Sequence, residues 1–108
     1  MSQIDPLEIG IPDLELQLDR AGRDFVLLDI REPHELDRGV LPGAVHLPMS
    51  QIVRRYRELD AGTEIICYCE HGIRSYNVAA WLQDQGFRAR SLAGGFAAWN
   101  GPRVPFEP

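Results

Sequence analysis

Two unbroken apolar runs constrain this chain most: Phe25-Val26-Leu27-Leu28-Asp29-Ile30 and Thr63-Glu64-Ile65-Ile66-Cys67-Tyr68-Cys69. A strand with one wet face alternates in polarity, and these do not. Both therefore read as strands covered on both faces, which is what helices packed on either side of a parallel sheet provide. The segments between them change to helical period. Leu14, Leu18 and Ala21 recur in a helix opened by Pro12 and Asp13 and stopped by Gly22; Ile52, Val53, Tyr56 and Leu59 recur over Ser50 to Leu59; Ser75 to Gln85 carries a third helix. A short helix from Pro33 to Arg38, brief strands at 44–47 and 89–92, and an aromatic helix Phe96 to Trp99 complete the reading. Strands alternating with helices predict an α/β fold, a small parallel sheet with helices on both faces, in one domain over residues 1–108.

Composition narrows the function. With 44% hydrophobic and 25% charged residues in 108, the chain resembles an ordinary globular domain with one core, and so one site. A net charge of −5 opposes a phosphate backbone, so nucleic acid is not the expected partner. All eleven cationic side chains are arginine, which removes Schiff-base chemistry and the Walker A phosphate grip. No apolar run approaches the roughly 20 residues that cross a bilayer. The start MSQIDPLEIG lacks the basic and apolar parts of a signal peptide, so a cytoplasmic location away from membranes is expected, with Cys67 and Cys69 as thiols. His34 and His46 have no metal-ligand spacing, and neither a metal nor an organic cofactor is expected.

The chemistry concentrates where the second apolar run ends. Ligands of open parallel sheets bind at the carboxyl ends of the strands, and this strand ends in Cys69. Residues 69–75 read CEHGIRS, a thiol followed by a short loop and a helix whose first turn holds Arg74 and Ser75. Free amides at a helix start, the helix dipole and a nearby guanidinium all favour an anion, so the Cys69 pKa is expected to fall toward neutrality. The amides of the loop would cradle whatever negative group the sulfur attacks or carries.

The chain resembles the rhodanese-like sulfurtransferases over nearly its whole length. LLDIREPHE at 27–35, LPGAVHLP at 41–48, CEHGIRS at 69–75 and LAGGFAAW at 92–99 are similar to four motifs of that family, in the family's order. One departure is Val40, which stands where the family often has histidine and lacks its polar contact. The resemblance implies a persulfide enzyme: Cys69 takes a sulfane sulfur from thiosulfate or a related donor and passes it to a thiol or to cyanide. Carried over residue by residue, Cys69 is the nucleophile and Arg74 orients the anionic donor. The loop residues Glu70, His71, Gly72, Ile73 and Ser75 bind substrate with their amides, and Arg31 assists from the facing loop. Asp29 and Glu35 hold that loop by hydrogen bonds. The alternative within the family is a carrier that delivers persulfide to a partner protein. Four residues separate Cys69 from Arg74. Cysteine phosphatases carry one more, which leaves phosphatase or arsenate-reductase chemistry as the lesser reading.

The remaining candidates read as structural. Cys67, two residues back on the same strand, is expected in the core with a raised pKa. Glu70 beside an anion site opposes an anionic donor unless it points outward. Trp81 and Trp99 fit core packing. Arg54, Arg55 and Arg57 form a solvated helix face that could also dock an acidic protein partner.

Overall fold

The computed structural model describes residues 5–20 and 24–108. Its elements are β1 (Glu8–Ile9), α1 (Ile11–Leu18), β2 (Phe25–Asp29), β3 (Val45–His46), α2 (Ile52–Arg55), β4 (Glu64–Tyr68), α3 (Ile73–Asp84), β5 (Ala89–Leu92) and α4 (Gly95–Ala98). The five strands form one sheet in the order β1-β5-β4-β2-β3, and every pairing within it is parallel. The two apolar runs are the neighbours β2 and β4 at its centre, with Leu28 beside Cys67 and Asp29 beside Tyr68.

Side chains along a strand alternate faces, and here both faces are dry. Ile65 and Cys67 face a core of Leu28, Ile52, Val78 and Leu82, roofed by α2 and α3. Ile66 and Tyr68 face the opposite core of Leu14, Leu27, Phe96 and Trp99, roofed by α1 and α4. Fully burying one such side chain contributes about 1.5–3 kcal/mol. That sets the register of the sheet and fixes where its carboxyl edge delivers the next residue.

Several local expectations change. The helix expected over Ser50 to Leu59 is a single α-turn at Ile52–Arg55 between 3₁₀ turns at Met49–Gln51 and Tyr56–Glu58. Leu47 and Met49 donate their amides to the Asp29 and Ile30 carbonyls, so the segment is anchored to the end of β2 before it begins to turn. Its ten-residue pattern fits about 3.0 residues per turn as well as about 3.6. Pro33–Arg38 is also 3₁₀, closed by a reciprocal capping box between Glu32 and Glu35. α1 ends at Leu18, and the expected stop at Ala21 and Gly22 lies outside the described residues. β1 was not anticipated, because two residues carry no readable period. Val40 meets Val104 in an antiparallel bridge that ties the tail down, a use of its backbone independent of its side chain. No helix among the described residues is long and apolar enough to cross a membrane.

Candidate active site

β4 runs out at Tyr68 and hands Cys69 to the carboxyl edge of the sheet, where a tight loop returns the chain into α3. Gly72 makes that return possible. Its φ of +92° is one that side chains resist, and a Cβ there would stand 3.1 Å from the Gly94 nitrogen. The turn aims the amides of Gly72 and Ser75 at the Cys69 Sγ, at 3.2 and 3.3 Å. The Ser75 hydroxyl lies 3.3 Å from the same sulfur and 2.7 Å from the hydroxyl of Ser91 on β5, so two serines stand in line beneath the thiol. Cys69 exposes only 1% of its surface.

Burial by itself raises the Cys69 pKa. The Ser75 hydroxyl and the amides of Ser75, Gly72 and His71 outweigh it, and the thiol is held below its ordinary value. Cys67 shows the opposite balance. Buried in the core without those donors, it is pushed up to about 12, and its Sγ lies 3.4 Å from the carbonyls of Ser75 and Arg90.

The loop keeps its amides for the sulfur because its carbonyls are satisfied elsewhere. The Phe96 and Ala97 amides at the start of α4 donate to the Cys69 and Glu70 carbonyls, both at 2.8 Å. Gly95 admits this approach: its φ is +64°, and a Cβ there would stand 2.6 Å from the Cys69 carbonyl oxygen.

The charged residues expected at the site are distributed otherwise. Arg31 is fully buried. Its guanidinium is consumed by the Asp29 carboxylate and by the carbonyls of Glu35 and Gly39, and it stacks 4.1 Å over the Phe96 ring. It therefore builds the wall of the site together with Asp29. Glu70 points neither outward nor at an incoming donor. It folds back so that Oε2 pairs with Arg38 at 2.6 Å and Oε1 lies 3.5 Å from Arg31, which neutralises the repulsion expected of it. Ser75 is wholly buried under the sulfur, so its contact is with Cys69 and not with the open surface. Gly72 is buried, whereas His71 and Ile73 present their side chains to solvent.

Arg74 lies at the mouth of the loop, where its two terminal nitrogens meet the two oxygens of Glu35 at 2.7 Å each. The pair holds Glu35 down at about 2 and raises Arg74 further. Glu35 thus does more than fasten its own loop, since it occupies the cation of the facing one. The residue that sequence reasoning missed is Ser91. A buried serine on β5, between Arg90 and Leu92, was the available signal. Among the described residues, no three His, Cys, Asp or Glu side chains gather into a metal site.

The chain has known relatives. Residues 12–102 match the rhodanese-like domain. A sulfurtransferase of Allochromatium vinosum is 42% identical over 83 residues, which cover 76% of this chain and 78% of that protein. The thiosulfate sulfurtransferase GlpE of Coxiella burnetii is 36% identical over 79 residues, covering 72% and 74%. A crystal structure of a rhodanese-related protein from Thermoplasma volcanium superposes with a TM-score of 0.82 at 26% identity, over 90% of this chain and 96% of that one. With its fold, its loop and its sequence in agreement, the chain belongs to the rhodanese-like family.

Proposed function

We propose that this protein is a sulfurtransferase that moves a sulfane sulfur from thiosulfate or a related donor to a thiol or cyanide acceptor through a persulfide on Cys69. The observation that carries the reading is the convergence of two amides and one hydroxyl on a buried sulfur, each at 3.2–3.3 Å. Those groups favour the anion, first as thiolate and then as the terminal sulfur of a persulfide. The thiolate attacks the outer sulfur of the donor. The donor's S–S bond breaks and its electron pair leaves with sulfite. An acceptor then attacks the outer sulfur of the persulfide, and the electron pair of that S–S bond returns to Cys69 as thiolate. No strong general base is required, because the attacking species is a thiolate and the Cys69 thiol is held below its ordinary value. Arg74 orients an anionic donor once it turns from Glu35. The name of the Coxiella relative supports thiosulfate as one donor, and two free thiols fit a reducing cytoplasm.

The engaged Arg74 favours a second reading, in which the chain serves chiefly as a carrier and receives or delivers its sulfur at a partner protein. Intact mass spectrometry of wild type and Cys69→Ser after incubation with thiosulfate separates these readings. A one-sulfur adduct on wild type alone, discharged by cyanide, supports transfer at Cys69. An adduct that discharges only to protein thiols favours the carrier. No adduct with thiosulfate or with a low-molecular-weight persulfide defeats both.

A further inference from the structure

Large apolar side chains stand exposed beside the catalytic loop. Ile73 at the start of α3 is 73% exposed, Val53 on α2 is 66% exposed and Met49 is 37% exposed. Scattered singly they would need no explanation. Here they line two clefts that share Asn77. Ile73 and His71 line a cleft of about 340 Å³ together with Glu8, Tyr76 and Asn77, so its one carboxylate stands beside the loop and not beside Val53 and Trp81. Asn77 also lines an adjoining groove of about 290 Å³ whose other walls are the apolar Met49, Ile52, Val53, Val78 and Trp81. One track therefore leads from the active-site loop, past Asn77, to Trp81.

Cations stand at the far end of this track. Trp81 packs edge-on against Tyr56, and the Arg57 guanidinium lies 5.4 Å from the Tyr56 ring. Arg55 is held by Glu58 at 2.9 Å, whereas Arg54 and Arg57 are exposed and have no carboxylate within 4.0 Å among the described residues. Unneutralised arginines beside an apolar groove, in a chain of net charge −5, form a local field opposite to that of the whole molecule.

We infer that this track docks the protein that accepts the sulfur: a cysteine-bearing partner whose surface around its reactive thiol is apolar and acidic. The inference rests on the Cys69 persulfide reading and names the acceptor for it. A sulfur on a residue only 1% exposed is reached by a thiol on a protruding segment, and the flanks of that segment then lie on Ile73, Asn77 and Val53. Apolar contact holds the partner while Arg54 and Arg57 steer it. The acceptor thiolate attacks the outer sulfur, the S–S bond to Cys69 breaks with its electron pair returning to Cys69, and the partner departs as a persulfide. No oxidant or reductant is consumed.

The test uses three synthetic peptides of equal length, each with one cysteine between leucines and flanked by glutamate, glutamine or lysine. Each is mixed with the full chain carrying the Cys69 persulfide, and discharge is timed by mass spectrometry. The glutamate peptide should discharge wild type roughly tenfold faster than the lysine peptide at low salt, with the gap closing at high salt. In a Val53→Ser, Arg54→Glu, Arg57→Glu variant the order should level or reverse, while discharge by cyanide keeps its wild-type rate. Equal rates for the three peptides on wild type, or an unchanged order in the variant, would overturn the docking inference and leave sulfur transfer standing. Failure of wild type to form any persulfide would remove the reading beneath it and the inference together.

Discussion

Arg74 and Glu35 meet as a parallel double hydrogen bond, 2.7 Å at each contact, between segments 39 residues apart in the chain. The cation that the proposed function assigns to an anionic donor is therefore already paired. Bidentate guanidinium–carboxylate pairs are strong and directional, so under the proposed function a donor would compete with Glu35 as much as it is attracted to Arg74.

Removing the competitor should favour small anions. Glu35→Gln is expected to lower KM for thiosulfate about three- to tenfold, which corresponds to roughly 1 kcal/mol of freed guanidinium. The same substitution should cost stability in a pH-dependent way. Glu35 titrates at about 2 in the folded chain against an ordinary 4.5. Because the folded value is the lower one, the pair stabilises fully above pH 4.5 and its contribution fades as pH falls through that window toward 2. Chemical denaturation of the two proteins at pH 7 and pH 3, beside initial rates, checks both parts. A KM that rises in Glu35→Gln would mean that Glu35 positions Arg74 for the donor and does not withhold it.

The serine pair controls the thiol. The rate of Cys69 alkylation by iodoacetamide should rise with pH to a midpoint below 9.0, since a lowered pKa puts more thiolate at neutral pH. Ser75→Ala deletes a hydrogen bond that favours the thiolate and should raise that midpoint. Ser91 reaches the sulfur only through the Ser75 hydroxyl, at 2.7 Å, so Ser91→Ala should move the midpoint in the same direction by less. An unmoved midpoint in Ser75→Ala would assign the lowered pKa to the amides alone.

The parts of this site that could be read from sequence are those written in local pattern. Cys69 was placed by an apolar run followed by a glycine loop, and the sheet by runs too apolar to have a wet face. What escaped was decided across the sheet. Arg31 and Glu70 are charged, sit in motif positions and suggest ligand contact. Only the register of β2 against β4, which sets Asp29 beside Tyr68, shows that the Arg31 guanidinium is walled in between Asp29, Phe96 and the Gly39 carbonyl. The link from Ser91 to the thiol escaped for the same reason. Its role comes from lying opposite Cys67 on the neighbouring strand, a relationship no linear spacing encodes.

Arg31 should prove to be a stability residue. Arg31→Met leaves the Asp29 carboxylate buried without its partner, a change that typically costs 3–5 kcal/mol and would lower Tm by about 12 °C or more in a domain of this size. Arg31→Lys should recover only part of this, because one ammonium cannot serve the Asp29 carboxylate and the Glu35 and Gly39 carbonyls in the same fork. Thermal denaturation decides the matter. A lysine variant with wild-type Tm and a raised KM would instead return Arg31 to the substrate.

Gly95 offers the sharpest separation of loop geometry from overall stability. Its partner in the comparison is Gly86, at φ +96°, where a Cβ would meet nothing within 4 Å. Gly86→Ala should therefore cost only the backbone strain, roughly 1–2 kcal/mol, and leave sulfur transfer intact. Gly95→Ala carries similar strain at φ +64°, and its Cβ would also press on the Cys69 and Glu70 carbonyl oxygens at 2.6 and 2.7 Å. Those carbonyls are backbone at the base of the loop that follows Cys69, so relief requires the loop to move away from α4, and the amides aimed at the sulfur move with it. Sulfur transfer should fall by more than about tenfold, since small misplacements at a reacting centre can cost a hundredfold. The Cys69 alkylation midpoint should rise as well. Equal losses of activity in the two variants, measured at a temperature where both are folded, would show that α4 does not set the geometry of the thiolate.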